Sequence, residues 1–236
     1  MTTLIIGASG ATGRLLVEQL LNRGERVKIM VRTKTNLPEA LNNHENLTII
    51  RAAVLDLSDA ELAQYIAGCT AVASCLGHGS IYAQPRRLVA EAVRRLCQAI
   101  EHHQPETAVK FVLMSTAGFV NPDASEKVSF TETCTIGLVR LLVPPHADNE
   151  QAANFLRTEI GKNNKAIEWS VVRPDDLIDE NEVTAYEVHP SPIRSAIFDA
   201  GKTSRINVGN FMAELMTNND TWAKWKWQMP VIYNKG

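Results

Sequence analysis

At 236 residues the chain is long enough to bury one sizeable hydrophobic core, and it is short for two full domains. Hydrophobic residues make up 45% of it and charged residues 21%, and the formal net charge of −2 gives no electrostatic reason to bind nucleic acid. We find no signal-peptide pattern and no apolar run of transmembrane length, so we expect a soluble protein without a membrane partner.

The cysteines and histidines indicate neither a disulfide framework nor a metal site. No two cysteines form a CxxC pair, and Cys75 and Cys97 lie in apolar patterns that are typical of small core residues. The histidines show no metal-ligand spacing. A reduced, cytoplasmic protein is therefore the simplest expectation.

The first 34 residues predict a strand, a glycine turn, an amphipathic helix and a second, parallel strand. The opening run Leu4-Ile5-Ile6 is too short and too rich in β-branched residues for a helix. We predict the helix over 14–21 and the second strand over 27–31, with basic residues at the tip of that strand. This arrangement is typical of a dinucleotide-binding site.

Strand and helix patterns continue to alternate along the chain. Further strands are predicted at 47–50, 71–76, 110–114 and 169–172, and helices at 88–100 and 148–162. A helix should also begin at Asp59, because Ser58 and Glu61 have capping-box spacing. Residues 131–143 are predicted to be partly helical, with Pro144-Pro145 as a stop. The alternation predicts an α/β fold of the Rossmann type, a doubly wound parallel sheet with strand order 3-2-1-4-5-6.

The pattern changes after Leu177. Residues 179–203 show little periodicity, 204–208 resemble a short strand, 211–216 a helix, and 230–233 an edge strand. We interpret residues 1–236 as a single dinucleotide-binding domain. Residues 179–236 then form a small C-terminal cap and edge elements on the substrate side of that domain.

The turn after the first strand has the residues that a pyrophosphate requires. A helix N-terminus offers unpaired N–H groups and the positive end of a dipole, and glycines let the phosphates approach. The spacing is GxxGxxG instead of the general GxGxxG, and a purely structural turn is the alternative. The residues that we predict to bind the cofactor here are Gly7, Ser9, Gly10, Ala11, Thr12 and Gly13.

The end of the second strand favours NADP (NADPH) over NAD. An NAD site usually has an acidic residue there, about 20 residues beyond the glycines, to bind the ribose 2′-hydroxyl. This chain has Arg32 and Thr33 instead, and a guanidinium can pair with a 2′-phosphate. The alternative is a solvated arginine at a strand end.

These residues resemble the atypical short-chain dehydrogenase/reductases, and among them the NAD(P)H-binding, NmrA-like branch that includes flavin and biliverdin-IXβ reductases. The similarity covers residues 2–177 and resumes more faintly at 204–211. It is carried by the glycine turn together with Val31-Arg32, Asp56-Leu57, Ser115-Thr116 and Arg173-Pro174. The resemblance implies three further contacts to the cofactor: Asp56 and Leu57 beside the adenine, Cys75, Leu76 and Gly77 beside the riboses, and Pro174 near the nicotinamide carboxamide. For Asp56, hydrogen bonding within its loop is the alternative.

The chain departs from the family at the catalytic pair. Typical short-chain dehydrogenases use Tyr-x-x-x-Lys for proton transfer, and no tyrosine here has a lysine four residues later. The helix that should carry the pair reads instead His146-Ala147-Asp148-Asn149-Glu150-Gln151. An acceptor such as a flavin or quinone can take its proton from solvent, so the missing pair favours acceptors of that kind.

Candidate catalytic residues remain at the expected open edge of the sheet. Ser115 either hydrogen-bonds a substrate or caps the next loop segment. His146 and His78 are each either a proton relay or a solvated loop histidine. Trp222, Trp225 and Trp227 either line a hydrophobic substrate site or pack the tail onto the body.

Three functions follow from these residues. The first is an NADPH-dependent reductase of a conjugated or aromatic acceptor, a small molecule. The second is a non-catalytic NADP(H)-sensing binding protein, and the third is an epimerase or dehydratase of the sugar-nucleotide type. We expect a monomer or a weak homodimer.

Overall fold

The structure, a computed structural model, describes residues 1–32, 43–78, 85–124, 126, 135 and 144–235. The strands are β1 (Thr2–Ile6), β2 (Arg26–Val31), β3 (Leu47–Arg51), β4 (Ala71–Ser74), β5 (Val109–Met114), β6 (Ile167–Pro174), β7 (Asp176–Ile178), β8 (Tyr186–His189), β9 (Lys202–Ser204) and β10 (Val231–Asn234). The helices are α1 (Ala11–Asn22), α2 (Asp59–Ile66), α3 (Leu88–His103), α4 (Pro144–Phe155), α5 (Arg205–Thr217) and α6 (Asn219–Trp225). One π-helical turn, Leu156–Ile160, continues α4.

The main sheet has eight strands in the order β3-β2-β1-β4-β5-β6-β10-β8. All neighbouring pairs are parallel except β10 and β8, which are antiparallel. A separate parallel pair joins β7 and β9. The predicted Rossmann-type sheet with order 3-2-1-4-5-6 is therefore confirmed.

Helices cover both faces of this sheet, as a parallel sheet requires. Alternate residues of β1 divide between the faces: Leu4 and Ile6 belong to one buried cluster, and Ile5 to the other. The first cluster packs under α2, α3 and α4, and the second under α1 and α5. Helix α5 approaches α1 so closely that a Cβ at Gly209 would lie 3.0 Å from the amide nitrogen of Leu16.

The predicted capping box is confirmed. The Ser58 side chain accepts a hydrogen bond from the Glu61 amide at 3.3 Å, and the Glu61 carboxylate accepts one from the Ser58 amide at 2.8 Å. Helix α2 consequently begins at Asp59, as expected.

One local prediction is wrong. Residues 204–208 do not form a strand, because the Ser204 hydroxyl accepts from the Asn207 amide and caps α5, which begins at Arg205. Pro144-Pro145 opens α4, whose first turn has no need of proline N–H groups, and the predicted stop of a helix before it lies outside the described residues. The partial helix predicted over 131–143 lies outside the described residues except at Thr135.

The C-terminal strand is also placed differently from the prediction. β10 lies between β6 and β8, so it is interior and not an edge strand. The edge is β8, which comes from the stretch that showed little periodicity. Four residues are too few to establish an alternating pattern, which explains why the sequence did not indicate this strand. No helix in the described ranges has the length and hydrophobicity needed to cross a membrane.

Candidate functional site

A cleft of about 460 Å³ opens where β1, β2 and β4 end. The order of the sheet reverses between β1 and β4, and this is the position where doubly wound folds bind ligands. The walls come from four segments, represented by Gly7 to Gly10, Met30 to Arg32, Ala52 to Asp56, and Cys75 to His78. The cleft therefore brings together most of the predicted cofactor contacts.

The glycine turn forms one wall of this cleft and depends on the absence of side chains. Gly7 has a φ of +75°, and a Cβ there would lie 2.4 Å from the carbonyl carbon of Cys75. A Cβ at Gly13 would lie 2.2 Å from the Gly7 carbonyl oxygen. A Cβ at Gly10 would lie 3.2 Å from the same oxygen, which is a tight contact but a less severe one. Gly7 and Gly13 are thus required by the turn, and Gly10 faces the cleft.

The N-terminus of α1 is open to an anion. Gly10 is its N-cap, within the described residues no side chain caps it, and no acidic residue stands in its first turn. Ser9, Gly10 and Ala11 are exposed, whereas Thr12 is buried. Exposed N–H groups at the positive end of a helix fit a pyrophosphate. Ser9 and Gly10 line the cleft itself, while Ala11, Thr12 and Gly13 lie beside it.

The opposite wall carries the residues predicted to select the cofactor. Arg32 is exposed at the end of β2 and lines the cleft together with Asp56. Thr33 lies outside the described residues. Leu57 does not line the cleft but packs against the core. Its predicted contact with the adenine stays a prediction.

Arg95 on α3 fixes the loop that carries Asp56. Its guanidinium donates to the carbonyl oxygens of Val54 at 3.2 Å, Leu55 at 3.0 Å and Leu57 at 2.5 Å. Arg95 was not named from the sequence, because a basic residue on the polar face of a helix looks like an ordinary solvated side chain. The contact spans about forty residues of chain and is visible only in the fold.

Cys75, Leu76 and Gly77 line the cleft after β4, as the family resemblance implied. The Cys75 thiol points away into the core, where its Sγ lies 3.9 Å from the Met212 sulfur. Burial raises the pKa of this thiol to about 12. Cys75 is therefore unsuited to act as a thiolate, and its backbone is the part that borders the cleft.

His78 is held by a buried carboxylate. Its Nε2 lies 2.8 Å from Asp148 Oδ2, and the Asp148 carboxylate also accepts from the amides of Val89 at 2.7 Å and Ala90 at 3.0 Å. Asp148 thus caps α3 from α4 and ties the loop after β4 to both helices. This pairing favours a structural role for His78. Among the described residues, no group of three or more His, Cys, Asp and Glu side chains is arranged to hold a metal ion.

A second cavity, of about 290 Å³, lies beyond the ends of β5 and β6 on the same edge of the sheet. It is lined by Thr116, Gly118, His146, Asp175, Asp176, Ala196, Ile197 and Ala200. Burial raises the pKa of Asp175, and this is opposed by hydrogen bonds from the amides of Gly201 and Asp176. Thr116, His146, Asp175 and Asp176 give the cavity polar lining, and Ala196, Ile197 and Ala200 give it aliphatic lining.

His146 occupies the polar wall of this cavity. Its Nδ1 lies 3.5 Å from Glu150 Oε1, one helical turn further along α4. On the other side of the ring, Nε2 would be 3.0 Å from a Cβ at Gly118. His146 was named from the sequence, but the neighbouring carboxylate of Glu150 was not. The i, i+4 spacing on a helix was the available signal.

Ser115 and Pro174 line neither cavity. The Ser115 amide donates to the Val172 carbonyl at 2.8 Å, and the Ala117 amide donates to the Pro174 carbonyl at 2.9 Å. Ser115 is buried, and its hydroxyl has no hydrogen-bond partner among the residues that the structure describes. The predicted contacts of both residues stay predictions.

The C-terminal tryptophans pack the tail onto the body of the protein. Trp222 donates from Nε1 to Glu168 at 2.6 Å, and the Trp225 ring meets Phe211 edge-on at 6.4 Å between centroids. Neither contributes to the cavity beside His146.

Comparisons with known proteins identify the family of this chain. A family model described as NAD(P)H-binding matches residues 7–219. The chain belongs to this NAD(P)H-binding family. The predicted resemblance to the NAD(P)H-binding branch of the atypical short-chain dehydrogenase/reductases is therefore confirmed. No match was found among curated proteins.

Solved structures share the fold of this NAD(P)H-binding protein over its whole length. A proposed NAD-dependent epimerase/dehydratase from Bacillus halodurans is 21% identical, with a TM-score of 0.73, and covers 100% of this chain and 94% of its own. A short-chain dehydrogenase/reductase from Veillonella parvula, solved with NADP, is 20% identical, with a TM-score of 0.71. The match covers 100% of this chain and 95% of that one. A proposed NADH-flavin reductase from Streptococcus pneumoniae is 17% identical, with a TM-score of 0.67, and the match covers 100% of both chains. At these identities the likeness establishes the fold alone.

Proposed function

We propose that this protein is an NADPH-dependent reductase that reduces a conjugated or aromatic acceptor, such as a quinone or a flavin. The observation that carries the proposal is a dinucleotide cleft and a second, partly apolar cavity on the same edge of one sheet. A binding protein that only senses the cofactor has no need of the second cavity. The solved structures that share the fold include one named as a short-chain dehydrogenase/reductase and one named as an NADH-flavin reductase, which supports a reductase.

The residues around the cleft fit a nicotinamide dinucleotide. The open N-terminus of α1 and the bare Gly10 would hold the pyrophosphate, and the backbone from Cys75 to Gly77 would border the riboses. Arg32 would pair with a 2′-phosphate. A bound nicotinamide would supply the hydride, and the chain would position the acceptor beside it.

The aliphatic wall of the second cavity supports an acceptor with an apolar body. Ala196, Ile197 and Ala200 form this wall, and Ile197 and Phe198 are exposed large hydrophobic residues in the same segment. A flat conjugated ring can pack on such side chains and keep its polar groups towards Thr116 and His146.

The reductase proposal predicts turnover with purified protein. NADPH mixed with a panel of quinones, flavins, enones and aldehydes should be oxidised with at least one acceptor, at a kcat on the order of 1 s⁻¹ or more. Tight NADPH binding without oxidation by any acceptor would contradict a reductase. That result would favour an NADP(H)-sensing binding protein.

The choice of NADPH is tested separately by Arg32→Ala. Because the variant loses a charge-assisted contact to the 2′-phosphate, we expect NADPH affinity to fall by about 10- to 100-fold. NADH affinity should change by less than about twofold, since NADH has no such phosphate. Arg26→Ala is the control, because Arg26 is exposed at the opposite end of the same strand. An unchanged ratio of the two dissociation constants in Arg32→Ala would exclude the assignment.

A further inference from the structure

The loop between β3 and α2 forms the part of the cleft that adjoins Arg32. β2 and β3 are paired as far as Val31 and Arg51, so the residues that follow the two strands leave the sheet side by side. Residues 52–56 line the cleft there. Inside the loop, the Asp56 amide donates to the Ala53 carbonyl oxygen at 3.0 Å and closes a turn. A short exposed turn of this kind keeps its position only if something holds it from outside.

Arg95 on α3 holds this loop without lining the cleft itself. Its Nη1 donates to the carbonyl oxygens of Val54 and Leu55 at 3.2 and 3.0 Å. Its Nη2 donates to the carbonyl oxygen of Leu57 at 2.5 Å. Val54 and Leu55 thus line the cleft and also bind the guanidinium.

Helix α3 is a firm base for these contacts. Its apolar face is buried from Val89 to Ile100, and the Arg95 side chain is only 14% exposed. Nη2 of Arg95 also pairs with Asp59 at 2.8 Å, but the Asp59 side chain is 85% exposed, and an ion pair of that kind contributes little. The three carbonyl contacts are therefore the ones that fix the loop.

We propose that Arg95 is a positioning residue for the adenosine half of the cofactor, because it fixes residues 54–57 in the shape on which that half binds. This rests on the dinucleotide site of the proposed function, in which Arg32 pairs with the 2′-phosphate. The 2′-phosphate belongs to the adenosine ribose, so the adenosine half lies at the Arg32 end of the cleft, against the loop. Arg95 touches neither the cofactor nor the acceptor in this scheme.

A loop that is already ordered raises affinity, because ordering it then adds no cost to binding. The guanidinium suits this task, since its planar fork of N–H donors can bond several carbonyl oxygens at once. A lysine ammonium has the same charge, but it is a point donor on a flexible stem. Charge alone therefore does not replace Arg95.

The affinities of Arg95 variants for NADPH and NADH test this role. In Arg95→Met, which has no donor, we expect both affinities to fall by about 10-fold or more. The ratio of the two dissociation constants should stay within about twofold, because both cofactors carry the same adenine and are held by the same loop. Arg32→Ala differs, since it acts on NADPH alone. Arg95→Lys should lose at least about threefold in both affinities, because it restores the charge but not the fork.

Arg94→Met is the matched control. Arg94 is the neighbouring residue on α3, and its guanidinium donates to Glu91 at 3.0 Å and to Gln98 at 2.7 Å, both on the same helix. The variant removes the same charge without disturbing the carbonyl contacts, so both affinities should stay within about twofold. Asp59→Asn removes the exposed ion pair and leaves the carbonyl contacts in place. It should also stay within about twofold.

Amide hydrogen exchange tests the loop in the absence of cofactor. The Asp56 amide should exchange about 10-fold faster in Arg95→Met than in the wild type, and at the wild-type rate in Arg94→Met. If Arg95 served global stability alone, the free energy of unfolding would fall while the folded variant kept the wild-type affinities. Should Arg95→Met not fold, Arg95→Lys compared with Arg94→Lys gives the same contrast.

The outcomes separate this role from the proposed function. Wild-type affinities in the folded Arg95 variants, or a changed ratio of NADPH to NADH affinity, would overturn the positioning role while the dinucleotide site stands. Losses in Arg94→Met or Asp59→Asn as large as those in Arg95→Met would overturn the role of the carbonyl contacts. If the wild-type protein binds neither cofactor, the proposed function fails, and hydrogen exchange still decides whether Arg95 orders the loop.

Discussion

Gly13→Ala should lose NADPH binding by about 100-fold or more and destabilise the fold. The new Cβ would lie 2.2 Å from the Gly7 carbonyl oxygen and 2.9 Å from the Gly7 carbonyl carbon. Both are backbone atoms of the turn, so the turn itself must move. Displacing two charge-assisted hydrogen bonds to a pyrophosphate accounts for a loss of this size. Overpacking of this kind costs about 1–3 kcal/mol in the free energy of unfolding.

Gly10→Ala is the matched control for this prediction. Its Cβ would lie 3.2 Å from the same oxygen, a contact that a small shift can relieve. We expect the free energy of unfolding to change by less than about 1 kcal/mol. NADPH affinity should fall by an intermediate factor, since Gly10 lines the cleft. Calorimetric titration and urea unfolding measure the two quantities. Binding of NADPH to Gly13→Ala within threefold of the wild-type affinity would contradict the assigned role of the turn.

Glu126→Ala should destabilise the protein by about 3–5 kcal/mol, because it leaves a buried guanidinium without its counter-charge. Arg173 on β6 is 0% exposed, and its Nη2 donates to Glu126 Oε1 at 2.6 Å, with the Glu126 side chain 3% exposed. The same guanidinium donates to the carbonyl oxygens of Phe119 and Met229, both at 2.7 Å. The ion pair thus anchors the segment after β5 to the sheet.

Asp123→Ala, in the same segment, is the control for Glu126→Ala. Asp123 pairs with Arg157 at 2.9 Å, but its side chain is 48% exposed, so we expect a loss below about 1 kcal/mol. Urea denaturation of both variants gives the comparison. In the double variant Glu126→Ala, Arg173→Met we expect part of the stability to return, because no unpaired charge remains buried. Similar losses in the two single variants would show that burial does not decide the strength of this ion pair.

Most of the sheet was predictable because its signals are local. A buried parallel strand is a short apolar run, and the alternation of such runs with amphipathic helices indicates the strand order through the handedness of crossovers. The glycine turn and Arg32 were predictable for the same reason, since their positions follow directly from the ends of β1 and β2. The predictions failed where a signal was short. One hydroxyl cap converted 204–208 from an expected strand into the start of α5.

The candidate site was predictable only in part, because its cofactor side is encoded locally and its substrate side is not. The turn from Gly7 to Gly13 and the tip of β2 are contiguous in the chain, so residue type and spacing indicated a dinucleotide site. The second cavity is lined by residues that come after β5, on α4 and in the segment around Ala196. No spacing in the sequence relates these three segments.

The sequence by itself therefore determined the Rossmann-type sheet, its glycine turn and the basic residue at the end of β2. The tertiary structure alone decided which side chains work together: Arg95 with the loop before α2, Asp148 with α3 and His78, and Arg173 with Glu126. Each of these contacts joins residues tens of positions apart. A hydrogen bond between distant side chains leaves no periodic pattern in the chain, and it exists only once the sheet has brought its partners together.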